Sequence, residues 1–303
     1  MTQLDPPTAS TSAHTSGEAS GSTSVPPPAR TTRPRIPAVL CLCAVVAVYL
    51  LAVCTPFGQR AENSLFVPAG GGGGAWMHDW SGVAYDSHPI PPLDDSAMPT
   101  LVVGCAVIAA VALVRRCRRR GCLAAGVVGL TLVGTTAGKD HLPRPDLVHA
   151  DVMLVDPSFP SGHAAVPAAL TLALTLVVSA RVRPYVLVIG TTWFALIAGT
   201  VQAIGDHRPS DVLGSTLLAC GLYGLAARLL PGDTPRVVRC PRALTAIGLV
   251  LAVAGAVVGG GRSDSLSGPL VHMVTALACV TLLWFTAENG PAPAERRTRP
   301  ARG

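Results

Sequence analysis

The sequence predicts an all-α bundle of membrane-spanning helices, and three observations carry that expectation. Half of the 303 residues are hydrophobic and only 13% are charged, about half the charge of a soluble domain; the mean hydropathy is +0.47. The apolar residues gather into eight runs, near the length that crosses a hydrocarbon layer at ~1.5 Å per residue. The arginines stand at the ends of those runs and in the termini, as membrane flanks do. That placement of the formal +6 charge argues against a nucleic-acid surface, which needs a basic face or stripe.

Residues 1–35 are rich in Ser, Thr, Pro and Ala and poor in large apolar groups, the composition of a disordered tail. The first apolar run, 37–54, reads as an anchor helix; the preceding tail is too long for a secretory leader, and no small-x-small cleavage site follows. Residues 55–98 read as a long outer loop with five consecutive glycines, Gly70 to Gly74; Trp76, Trp80 and Tyr85 suit a segment at headgroup level, and a flexible connector without function explains the stretch equally well. Further runs follow at 98–114, 121–137, 161–180, 185–204, 210–230, 243–260 and 269–286. The organisation is therefore a tail (1–35), a core (36–232), two additional C-terminal transmembrane helices (233–288) and a basic tail (289–303). Nine cysteines lie mostly inside apolar runs with no CxxC pair, which suits packing rather than a zinc site or a disulfide framework.

Arginines give the orientation. Arg115, Arg116, Arg118, Arg119 and Arg120 separate the second and third runs; Arg181 and Arg183 follow the fourth, and Arg228, Arg236, Arg239 and Arg242 follow the sixth. With eight spans these all fall on one side, together with both termini, and that side is expected to be cytoplasmic. The 138–160 loop and the 205–209 turn then share the outer surface.

Those two outer segments hold the polar residues that carry chemistry. Pro160-Ser161-Gly162-His163 opens the fourth run. Ser161 is a good N-cap, and the first amides of a helix, with its dipole, attract an anion. His163 in the first turn is placed to give a proton to a leaving oxygen. An ordinary capped helix is the plainer reading of the tetrapeptide alone. His207-x3-Asp211 opens the sixth run, with Pro209 fitting its first turn. The i, i+4 spacing puts a carboxylate beside an imidazole, fixing its tautomer and leaving the other nitrogen as nucleophile or base. A polar cap explains the same pair, and no cysteine or carboxylate set completes a metal site around it. Lys139 is the only lysine, against 22 arginines, and Arg144-Pro145 follows it. A compact ammonium and a forked guanidinium on one loop suit phosphate oxygens.

In their order, Lys139…Arg144-Pro145, Pro160-Ser161-Gly162-His163 and His207-x3-Asp211 resemble the type 2 phosphatidic acid phosphatase superfamily, the membrane lipid phosphate phosphatases, over roughly residues 98–230. The resemblance implies a six-helix phosphatase core made of the first six runs. It implies that His207 attacks phosphorus to form a phosphohistidine, that Asp211 orients it, and that His163 protonates the leaving alcohol. Lys139, Arg144 and the Ser161 and Gly162 amides would hold the phosphate, with neither metal nor cofactor. Two motifs depart from the family. Its first is Lys-x6-Arg-Pro, but here Lys139-x4-Arg144 is two residues shorter, and Ala137 stands where the lysine belongs. Its third is Ser-Arg-x5-His-x3-Asp, but Thr200-Val201 replaces Ser-Arg. The Lys139 loop and Arg208, adjacent to His207, are the two candidates to replace the missing guanidinium, and Arg208 is the one expected to swing into the role.

The expected function is hydrolysis of a lipid phosphomonoester or diphosphate at the outer leaflet of the cell membrane. An isoprenoid carrier diphosphate and a phosphatidate-type lipid are both candidate substrates, and membrane lipids are the only other partners implied. Two rivals remain open at this level: a non-catalytic binder of lipid phosphate headgroups, and a transporter of lipid-linked cargo.

Overall fold

The computed structural model describes residues 38–65, 98–150, 152–203, 205–230, 242–260 and 267–290. The N-terminal tail, the glycine run with Trp76, Trp80 and Tyr85, and the C-terminal basic tail lie outside them. Among the described residues every regular element is helical. All eight apolar runs are helices. The first is α1 (Ala38–Val48), which continues through a π-helical turn at Tyr49–Val53. Then come α2 (Pro56–Asn63), α3 (Met98–Val114), α4 (Arg118–His141) and the short α5 (Val152–Val155). The rest are α6 (Gly162–Val177), α7 (Arg183–Ala203), α8 (Pro209–Arg228), α9 (Arg242–Gly260) and α10 (Ser267–Glu288).

Not every run is a full span. Among the described residues α4, α7, α8 and α10 are long and apolar enough to cross a membrane, whereas α3, α6 and α9 are shorter apolar helices. At ~1.5 Å per residue a 16-residue helix such as α6 covers about 24 Å, short of a ~30 Å hydrocarbon core. The first run differs more. It bends by 79° into α2, so the stretch read as loop from residue 55 begins with a helix. Thr55 starts α2 as an N-cap accepting from the Gly58 amide at 3.0 Å, and Pro56 occupies the first turn. Gly58 lies against the Leu51 and Ala52 carbonyls, where a Cβ has no room.

α6 is the central helix. Its sequence GHAAVPAALTLALTLV is apolar on every face and almost entirely buried, as befits a helix enclosed by others. It packs against α3, α4, α7 and α8; α1 packs along α8, and α9 and α10 pack against α7. The final two helices thus continue the bundle beyond the six-run core.

The ends of the bundle differ chemically. At one end, arginines satisfy helix C-terminal carbonyls: Arg115 donates to Val177 O, Arg120 to Leu176 O at 3.3 Å and Arg119 to Leu229 O at 2.6 Å. These cations sit where the macrodipole favours positive charge. Arg183, buried at the same end, donates to the Tyr223 hydroxyl at 2.9 Å and to the Ala287 carbonyl, fastening α10 to the core. At the opposite end the chain gathers the 138–163 and 205–211 segments and α2.

Candidate active site

Each histidine is placed by a helix start. Ser161 caps α6 by accepting from the Ala164 amide at 3.2 Å, which sets His163 in the first turn. The Ser161 amide donates to the Asp211 carbonyl at 3.0 Å, locking the entrance of α6 to that of α8. Between α7 and α8 the chain reverses at Gly205, with φ 79°. The Asp206 and His207 amides both reach the Val201 carbonyl at 3.0 Å. The turn thus presents His207 at the mouth of α8.

The outcome is a direct contact between residues 44 positions apart. His163 Nδ1 lies 3.2 Å from His207 Nε2, with the rings edge-on at 61°. Behind His207, Nδ1 stands 3.5 Å from Asp211 Oδ2. That same oxygen accepts the Arg208 amide at 2.9 Å, which fixes the carboxylate. Asp211 is fully buried and His207 is 5% exposed, while His163 is only partly buried. Burial drives the His207 pKa below the usual imidazole value, opposed by Asp211 and reinforced by His163 and Lys139. Burial therefore favours the neutral form of the ring that faces His163.

Cations surround the pair. Lys139, in the last turn of α4, brings Nζ to 3.7 Å from where a Cβ on Gly162 would sit. A side chain at 162 would occupy space beside the ammonium, and glycine leaves it open. Despite the two-residue shortening of its motif, Lys139 reaches the entrance of α6. Arg208 Nη1 donates to Ser158 Oγ at 2.8 Å and Nη2 to the Leu154 carbonyl at 2.7 Å. Burial, and after it the Arg144 charge, depress its pKa against the pull of Asp211, Glu62 and Asp156. Val201 belongs to the apolar core; the backbone carbonyl is what it offers the turn.

Arg144 is held by residues that the sequence reading did not single out. Its Nη1 faces Glu62 Oε2 at 3.9 Å and its Nη2 donates to Asn63 Oδ1 at 3.4 Å. Glu62 Oε1 accepts the Ser210 amide of α8 at 3.0 Å. Gln59 donates to the Pro145 carbonyl at 2.5 Å and accepts from the Leu147 amide at 3.2 Å; Tyr49 donates to the Pro143 carbonyl at 2.6 Å. The signal for this element was present in Thr55-Pro56, a cap followed by proline, and in Gln59, Glu62 and Asn63 at helical spacing beyond it. Among the described residues no group of three His, Cys, Asp or Glu is gathered to hold a metal ion.

With this geometry in place, the comparison with known families is specific. The PAP2 superfamily model matches residues 120–235, a stretch holding Lys139, Arg144, Ser161, Gly162, His163, His207, Arg208 and Asp211. The match supports membership of the PAP2-type phosphatase superfamily, whose members are generally phosphatases, and the chain is a multi-pass membrane protein. No curated protein and no solved structure matches it.

Proposed function

We propose that the protein is a metal-independent lipid phosphate phosphatase working through a phosphohistidine at the outer leaflet. The observation that carries this reading is the His163–His207 contact of 3.2 Å with Asp211 behind His207. His207 Nε2 attacks phosphorus, and the P–O bond to the lipid breaks as His163 gives its proton to the leaving oxygen. Asp211 Oδ2, 3.5 Å from His207 Nδ1, steadies the charge that develops on the ring. Water then attacks the phosphohistidine with His163 as base, releasing phosphate and restoring both imidazoles.

Lys139, Arg144, Arg208 and the Gly162 amide form the phosphate cradle; the Ser161 amide, expected to join them, is instead spent on the Asp211 carbonyl. Charge spread over the equatorial oxygens in flight is met by fixed donors rather than by covalent chemistry. Arg144 and Arg208 are both buried, and Asp211, Glu62 and Asp156 offset part of the charge on Arg208. The substrate must separate the histidines. An attack distance of ~3–3.5 Å plus a P–O bond and a hydrogen bond places the two nitrogens roughly 6–7 Å apart. His163, the more exposed ring, is the one to swing.

The test is phosphate release from short-chain phosphatidate and isoprenoid diphosphate by purified protein in detergent with EDTA. Turnover insensitive to EDTA is expected, and His207→Ala should abolish it along with acid-labile labelling by substrate phosphate. Activity of His207→Ala within about tenfold of wild type, ~1.4 kcal/mol of barrier, would remove His207 from the mechanism. Phosphate-headgroup binding without turnover would favour the non-catalytic reading instead.

A further inference from the structure

We propose that Glu62 is a positioning residue of the active site, acting through Arg144, and that α2 is a working part of the phosphatase rather than a connector. The inference rests on the phosphatase reading for its kinetic consequence but not for its geometry. Glu62 is 7% exposed, in an eight-residue helix otherwise rich in polar groups. A carboxylate is rarely so buried unless its charge is compensated. Its two oxygens face two different parts of the site: Oε1 takes the Ser210 amide, one residue before Asp211, and Oε2 faces Arg144 Nη1. One side chain therefore ties the loop carrying Arg144 to the helix carrying Asp211.

The tie is charge-specific on one side only. The Ser210 amide needs an acceptor, which Glu or Gln supplies equally. Arg144 is itself buried, at 7% exposure, and Nη1 has no hydrogen-bond partner, so it needs a negative charge nearby. Asn63 anchors the adjacent Nη2. A guanidinium has five N–H donors in a rigid fork; fixing its Glu62–Asn63 side sets the direction of the remainder. Glu62 itself has no business touching phosphate, whose oxygens it would repel. The supporting element lies outside residues 120–235, so it belongs to this chain's own N-terminal sequence rather than to the matched family stretch.

The experiment is a double-mutant cycle on the full-length protein with Glu62→Gln, Arg144→Ala and the pair. Glu62→Gln keeps the Ser210 acceptor and removes the charge. It should lower kcat/KM at least about tenfold in the wild-type background but less than about threefold beside Arg144→Ala, because a lost partner cannot be lost twice. Asn63→Ala, which leaves Glu62 and its Ser210 bond in place, should show the same dependence on Arg144. Helical circular dichroism and monodisperse elution exclude unfolding. A purely structural Glu62 would give equal losses in both backgrounds, and that result, or a Glu62→Gln enzyme within about threefold of wild type, overturns the proposal. If the wild type turns over no lipid phosphate, the phosphatase reading fails separately. The cycle is then read on calorimetric binding of inorganic phosphate. A change in Kd of at least about threefold that disappears with Arg144 supports the positioning role, and an unchanged or additive Kd overturns it.

Discussion

The burial of His207 sets the proton chemistry of the site. Its pKa lies below the ordinary 6.5, burial being the main cause, although Asp211 pulls the other way. The neutral form of the proposed nucleophile is therefore favoured at pH values where an exposed histidine is half charged. The acid limb of kcat/KM against pH is expected below 6.5. Asp211→Asn removes the opposing pull, so it should move that limb lower still while cutting kcat. A limb at or above 6.5 in the wild type would exclude His207 as the neutral base. Stability has a related sign. The unfolded chain takes up this proton more readily than the folded one, so the contribution of neutral His207 is complete above 6.5 and declines as pH falls toward the folded value. The motif residues were legible in the sequence because their chemistry is tied to short spacings: a cap before a histidine, a histidine four residues before an aspartate. Glu62 was not, because its partners are 82 and 148 positions away and only folding brings them together.

Elements deliver those residues, and the turn between α7 and α8 shows how. Two amides converge on the Val201 carbonyl, and the reversal that lets them do so passes through Gly205 at φ 79°. A left-handed residue with a Cβ costs roughly 1–2 kcal/mol. Gly205→Ala should therefore lower the thermal midpoint in detergent and also reduce kcat, since relaxing the strain rotates the His207 amide away from Val201. Loss of stability with full kcat would show that His207 does not depend on this turn. Helix positions were readable from the apolar runs to within a few residues at most boundaries, as at 98–114 and 210–230 against α3 and α8. What the runs did not reveal was the bend after Val53. An apolar stretch reports where hydrocarbon contact is favourable; it does not report the capped, polar α2 that follows, whose value is realised only against the 142–147 segment.

At the scale of the whole molecule, the up-and-down path sorts charge and chemistry to opposite ends. Arginines cover the carbonyl ends of α6 and α8, and the histidines, Lys139 and Glu62 collect at the other end. The sequence anticipated this separation from arginine positions alone, because a strict alternation of helices leaves each polar segment only one of two sides. We propose, from the positive-inside tendency, that the arginine end faces the cytoplasm and the proposed active site the exterior. Single cysteines at Asp206, which is exposed, and Val148, which is half-buried, test this in a background freed of the nine native cysteines. Both should react with a membrane-impermeant maleimide on intact cells. A cysteine at Val182, 46% exposed in the turn between α6 and α7, should react only after lysis. The reverse pattern would turn the bundle over, and with it the leaflet from which substrate is drawn: a lipid phosphate made in the cytoplasm would then reach His207 without crossing the bilayer.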